Sequence, residues 1–182
     1  MSTYLKELFL YSSLLLFIFF AGFSEADARE QDRDFYFGIS GGQTRVKNTT
    51  TQQYQDATSF GINVGTRLYS NDSFWSGAEL KYTKTTSKEQ VNNSGSSTIS
   101  SYEVETTGLY LVARTRGKAY VKGKLGAANQ VITVDDVVIQ DSTRGSYGLG
   151  AGIRQGGAVL EIEYTQYSSD VSVVSIGYVF GY

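Results

Sequence analysis

The chain has no proline, no cysteine and no histidine among its 182 residues. The missing histidine excludes most, because it removes the commonest general base and the commonest metal ligand together. The missing cysteine leaves the redox compartment open, since exported bacterial proteins often do without disulfides. No basic cluster is present, which withholds support from nucleic-acid binding. No segment repeats its apolar residues every 3.6 positions, so no amphipathic helix is predicted. The longest uninterrupted apolar core, Leu14–Phe23, is too short for a helix that needs about 20 residues to cross a bilayer.

That apolar core has a different use. It follows "MSTYLKEL" with Lys6 and precedes "ADA" (Ala26, Asp27, Ala28), a small-x-small cleavage pattern. Residues 1–28 are therefore expected to be a cleaved signal peptide, and residues 29–182 one domain. Of the 16 basic and 18 acidic residues, the leader holds Lys6 against Glu7, Glu25 and Asp27, so the mature chain is neutral.

After the charged "REQDRD", apolar and polar residues alternate in eight stretches. Phe35, Phe37 and Ile39 oppose Tyr36, Gly38 and Ser40. Phe60, Ile62, Val64 and Leu68 oppose Gly61, Asn63, Gly65 and Arg67. Phe74, Ala78, Leu80 and Tyr82 oppose Trp75, Gly77, Glu79 and Lys81. Leu109, Leu111 and Ala113 oppose Gly108, Tyr110, Val112 and Arg114, although Val104, Tyr110 and Val112 give the other face a claim of its own. Val121, Leu125 and Ala127 oppose Tyr120, Lys122, Lys124 and Gly126. Tyr147, Leu149, Ala151 and Ile153 oppose Gly148, Gly150, Gly152 and Arg154. Leu160, Ile162 and Tyr164 oppose Glu161, Glu163 and Thr165. The closing "VSVVSIGYVFGY" sets Val174, Ile176, Tyr178, Phe180 and Tyr182 against small residues. A period of two means strands with one apolar and one polar face, and the chain reads as all-β.

The connections alternate as well. "SNDS", "TRGK" and "QGG" are tight turns, whereas the intervening segments are mostly longer and polar. Turns at one end and loops at the other predict an eight-stranded antiparallel up-and-down transmembrane barrel, with both termini periplasmic. A soluble barrel would instead turn its apolar face inward. Three features favour the membrane. Aromatic residues fall in two levels: Phe35, Tyr69, Phe74, Trp75, Tyr120, Tyr178, Phe180 and Tyr182 near the turns, and Tyr82, Tyr102, Tyr147, Tyr164 and Tyr167 near the loops. The polar face mixes glycine with opposite charges, Arg67, Lys81, Arg114, Lys122, Lys124 and Arg154 against Glu79, Glu161 and Glu163, which a narrow lumen holds if they pair and lipid rejects. A last strand that closes on the first also leaves no open edge in hydrocarbon.

The closing "VVSIGYVFGY", with "TTGLYLVARTRGKAYVKGKLGA" and "SYGLGAGIRQGGAVLEIEYTQYSSDVSVVSIGYVF", resembles the eight-stranded outer-membrane β-barrels of Gram-negative bacteria, the opacity-protein and OmpA/OmpX-like superfamily. The resemblance implies residence in the bacterial outer membrane, with lipid and lipopolysaccharide as surroundings. It also implies that Val174, Ile176, Tyr178, Phe180 and Tyr182 form the C-terminal signal read by the barrel-assembly machinery. Members typically end in Phe, where this chain has Tyr182. The peptidoglycan-binding half of OmpA-type proteins is expected to be missing.

Enzymes among such barrels (lipid A deacylases and palmitoyl transferases, omptin proteases, the outer-membrane phospholipase) depend, by that resemblance, on an active-site histidine. None is present, so a non-enzymatic protein without cofactor or metal is expected. The carboxylate pairs Glu103/Glu105, Asp135/Asp136 and Glu161/Glu163 could in principle serve a glycosidase, but lumen-lining strands produce such pairs routinely. "DDVVIQD" lacks the spacing of a Ca²⁺ loop. The "GLGAG" of Gly148–Gly152 opens no helix, so it is read as room for long lumen side chains rather than a dinucleotide loop. Function is expected in the loops. Asn92–Ser101 reads as a polar loop suited to an outside partner. "VITVDDVVIQ" reads as a hairpin projecting from the membrane, with an edge able to add a partner's strand. The readings that follow are a surface-interaction or envelope-structural barrel and, as the alternative, a narrow channel or lateral gate for small molecules.

Overall fold

A computed structural model describes residues 35–47, 52–86, 89–93 and 99–181. The signal peptide, Tyr182 and residues 94–98 of the polar loop lie outside the described residues. Among the described residues there are ten strands: β1 (Phe35–Val46), β2 (Gln52–Tyr54), β3 (Ala57–Ser70), β4 (Phe74–Thr85), β5 (Glu89–Asn93), β6 (Ile99–Thr115), β7 (Ala119–Val134), β8 (Val137–Gln155), β9 (Ala158–Gln166) and β10 (Val171–Phe180).

Eight of them close a barrel. Every neighbouring pair is antiparallel, in the ring order β1-β3-β4-β6-β7-β8-β9-β10. β10 returns to β1 in unbroken register from Phe37↔Phe180 to Val46↔Val171, so the last strand is the closing seam. The tight connections lie where the turn residues put them. The Asn71 side chain accepts from the Ser73 and Phe74 N–H groups at 2.9 Å, and Gly117 and Gly156 take positive φ in the other two turns.

Two short strands go beyond the eight expected. β2 and β5 pair with each other, and β5 pairs with the overhang of β6 above the barrel. Neither "QQY" nor "EQVNN" alternates in hydrophobicity, so their strand character comes from the template edge of β6 rather than from their own sequence. Reading Asn92–Ser101 as loop is corrected at both ends. Asn92 and Asn93 finish β5, and Ile99–Ser101 open β6. The projecting hairpin is present: β7 and β8 run to a two-residue turn at Asp135 and Asp136, with φ of 49° and 66°.

Burial settles which face meets what. Leu68, Leu109, Leu111, Leu125 and Leu149 are each more than 60% exposed on the outer wall, while Glu79, Lys81, Arg114, Lys122, Lys124 and Glu163 are buried inside. A greasy exterior around an ionic interior is stable only with hydrocarbon outside. Phe35, Tyr69, Phe74 and Tyr178 on one level, and Tyr147 and Tyr164 on the other, face outward as interfacial rings. The aromatic belts otherwise need correcting. Trp75, Tyr102, Tyr120 and Tyr167 are at most 4% exposed and point into the lumen.

Candidate functional site

The lumen is filled in layers, each placed by strand parity. At the turn end lies an aromatic and arginine floor. The Arg114 guanidinium lies 3.2 Å from the Tyr120 ring centroid and 5.6 Å from that of Trp75, whose ring lies 5.7 Å from Tyr36. Cation–π stacking of this kind holds a guanidinium away from bulk water at modest cost. Arg67 and Arg154 are half-buried near the same end, on β3 and β8.

Above the floor, three lysines and three glutamates form one network. Lys122 is central on the cationic side, with Nζ 2.9 Å from Glu79, 3.0 Å from Glu161 and 2.8 Å from Glu163. Glu163 is central on the anionic side. Its Oε1 accepts from Lys81 at 2.5 Å, Lys124 at 2.8 Å and Thr165 Oγ1 at 2.8 Å. Lys124 also lies 3.5 Å from Glu79 Oε1. Neutral donors complete the shell, with Tyr36 and Asn63 donating to Glu79 Oε2 at 3.0 and 3.2 Å and Tyr120 to Glu161 at 2.5 Å. Buried ions persist only when paired and hydrogen-bonded in this way.

Glycine makes the room. Glu79 stands across from Gly65, Lys122 and Glu163 from Gly150, and Lys124 from Gly148. At Gly152 an added Cβ would meet the Tyr120 ring, and at Gly148 it would meet the Lys124 stem. The "GLGAG" glycines thus serve the lumen.

A hydroxyl layer follows. Tyr110 lies 3.0 Å from Ser146 and Thr83 2.8 Å from Tyr167, while the Lys124 ammonium sits 4.2 Å from the Tyr110 ring centroid. At the loop end Ser168 donates to Gln130 at 2.9 Å, Tyr102 donates to the Gln55 carbonyl, and Tyr54 packs edge-on against Tyr102. Beside the ionic layer, a gap lined by Ser40, Asn63, Lys81, Glu161, Glu163 and Ser175 has room for about one water.

Of the nine charges predicted for the lumen, the structure joins Glu79, Lys81, Lys122, Lys124, Glu161 and Glu163 in the network. It places Arg114 on the aromatic floor, and Arg67 and Arg154 at the floor's margin. Tyr36, Asn63, Tyr110, Thr165 and Tyr167 belong to the same interior and went unnamed as site residues. Their signal was parity, since each shares the face of the charges. Val174, Ile176, Tyr178 and Phe180 lie on the outer wall of β10. Elsewhere Glu103 and Glu105 share Lys84 at 3.0 and 3.5 Å on the outer wall, and Asp135 Oδ1 accepts from the Ser101 N–H and Oγ at 2.8 and 3.2 Å. Among the described residues, no group of three or more acidic side chains is placed to hold a metal ion.

Residues 12–182 match the profile of the outer membrane protein beta-barrel domain. Among solved structures, Ail, the attachment invasion locus protein of Yersinia pestis in complex with the heparin analogue sucrose octasulfate, aligns at 17% identity with a TM-score of 0.52. The alignment covers 82% of this chain and all of that one. OprG of Pseudomonas aeruginosa aligns at 15% identity with a TM-score of 0.54, over 82% of this chain and 98% of that one. At such identities the likeness is one of fold. No curated protein sequence matches the chain.

Proposed function

This chain belongs to the outer membrane protein β-barrel family, and from that premise we propose that it is a non-enzymatic surface barrel acting through the sheet it raises outside the membrane. Its setting is the bacterial outer membrane. Both termini are taken to face the periplasm, with lipopolysaccharide around the loop end and the assembly machinery acting during biogenesis.

One observation carries this reading: strand length is uneven around the ring. β9 and β10 have 9 and 10 residues, about what a tilted strand needs to cross hydrocarbon, while β6, β7 and β8 have 17, 16 and 19. The surplus stands outside as a sheet, widened by β2 and β5. The filled lumen beneath it supports a scaffold, because the interior of eight strands is about occupied by side chains. A non-enzymatic role is supported by the absence of histidine and by the lysines that occupy the Glu161 and Glu163 carboxylates.

Ail supplies the fold but not the ligand chemistry. Its sucrose octasulfate is a polyanion, whereas the β7–β8 hairpin carries Asp135, Asp136 and Asp141 against Arg144. A cationic or neutral partner suits this surface better.

The second reading, a narrow conduit, draws on the water-sized gap in the ionic layer. The refolded protein separates the two. Silence in planar bilayers, with cell-surface or matrix binding that is lost when residues 132–139 are deleted, supports the surface role. Steady ion-selective steps, with binding indifferent to the deletion, overturn it.

A further inference from the structure

The lumen is filled unevenly. Its long ionic side chains, Glu79, Lys81, Lys122, Lys124, Glu161 and Glu163, come from β4, β7 and β9. The wall at the closing seam carries far less. Across β10, β1 and β3, two neighbouring rungs read Gly177–Ser40–Gly61 and Ser175–Gly42–Ser59. All six positions share the inward parity of their strands, and none is longer than serine.

Small residues alone can serve close backbone approach, so the polar atoms decide. Ser59 is 2% exposed, and its hydroxyl has no hydrogen-bond partner. Across the ring on β7, Gln130 is 1% exposed and its Nε2 is in the same condition, although its Oε1 accepts from Ser168. Buried polar atoms of this kind mark places where water completes the bonding. One rung nearer the turns, the space that an added Cβ at Gly61 would take is bordered by Ser40 Oγ at 2.8 Å and Thr83 Oγ1 at 3.3 Å.

The water-sized gap of the ionic layer continues the same line. Its lining follows β10 from Ser175 through Gly177 to Val179, toward the turn end. Among the described residues, the aromatic floor leaves this side uncovered. Trp75, Arg114 and Tyr120 stand on β4, β6 and β7, and Tyr36 lays its ring over Gly65 of β3, away from β10.

The charges beside the gap limit what can use it. Lys81 faces it together with Glu161 and Glu163, so an ion of either sign meets its own charge. A track one water wide also leaves no room for a hydration shell, whereas water itself finds hydroxyls to bond. We propose that a single file of water runs along the β10–β1–β3 seam, and that the barrel passes water while holding ions back. The inference shares its gap with the conduit reading but not an ionic current, and it stands apart from the surface role.

The full-length protein in phosphatidylcholine liposomes is subjected to an osmotic step, and shrinkage is followed by stopped-flow light scattering. Shrinkage should be at least about twofold faster than in protein-free liposomes and should scale with protein density. Ser40→Val and Ser175→Val each put an apolar group into the track in place of a hydroxyl, and each should remove more than about half of the added rate. Ser40→Thr, which keeps the hydroxyl and adds one methyl, is scored beside them as the milder block and should also slow shrinkage. Gly145→Val, with open space around its Cβ, should keep the parent rate. Heat-modifiable gel migration identifies the folded variants. Shrinkage of the parent at the protein-free rate overturns the inference, whatever the result of the attachment assay. Folded Ser40 and Ser175 variants at the parent rate overturn the seam as the path. Fast shrinkage accompanied by steady ionic steps in planar bilayers overturns the exclusion of ions and leaves the conduit reading standing.

Discussion

Replacing Glu163 by Gln removes one charge and almost no volume. The structure puts three ammonium groups on this carboxylate: Lys81 at 2.5 Å, Lys122 at 2.8 Å and Lys124 at 2.8 Å. All four side chains are at most 5% exposed, so water cannot substitute for the lost anion. Breaking a buried pair from one side costs about 3–5 kcal/mol, because the partner charge stays buried without compensation. With a urea slope of about 1–3 kcal/mol per molar, the unfolding midpoint in lipid vesicles should fall by about 1 M or more. Trp75 is the only tryptophan and lies in the lumen floor, so its emission reports the transition. Glu163→Gln/Lys122→Met removes the central anion and the central cation together. It should recover at least about 1 kcal/mol of the loss expected from adding the two single effects. For comparison, Lys84→Met on the outer wall, where Lys84 and its partners are 29–42% exposed, should cost under about 1 kcal/mol. A Glu163→Gln midpoint within error of the parent, or strict additivity in the double variant, would refute the network as a source of stability. Single-channel steps appearing in Glu161→Gln/Glu163→Gln would show that the same pairs keep the lumen shut.

Three further outcomes are expected. Gly152→Val should destabilise by about 1–3 kcal/mol by driving the Tyr120 ring off Glu161 and Arg114, whereas Gly145→Val, with open space around its Cβ, should be near neutral; urea titration of the pair checks the contrast. Asp136→Gly should tighten the hairpin tip by roughly 1 kcal/mol, since its φ of 66° strains any L side chain, and amide protection at Val134 and Val137 reads it. The Arg45 guanidinium, donating to Asp56 at 2.7 and 3.0 Å, holds that carboxyl below its ordinary value. A depressed acid contributes fully above the unfolded value of about 3.9 and loses its contribution as pH falls through the folded value. Backbone relaxation at Tyr54–Thr58 should therefore report loosening only in strong acid, and Asp56→Asn should loosen the segment at every pH.

Much of this was legible because parity is collective. Glu79, Lys81, Lys122, Lys124, Glu161 and Glu163 lie on three strands yet share one face, and a one-residue slip in any of those strands would put its charges into hydrocarbon. The aromatic belts were less legible because they rest on level alone. Trp75 and Tyr120 satisfy two rules that disagree: their height suits an interface, but their parity puts them beside Glu79 and Lys122. Parity wins, since an outward Trp75 would carry Glu79 outward as well. Register was hidden for a different reason. That Gly152 stands across from both Tyr120 and Glu161 follows only once the turns at 135–136 and 156–157 have fixed the neighbours of β8. β2 and β5 were hidden more deeply, because their pairing is imposed by β6 and has no counterpart in their own composition. The open edge of β8 is the converse case. Its β-branched residues announced a strand, and only the early departure of β9 leaves that strand without a second neighbour.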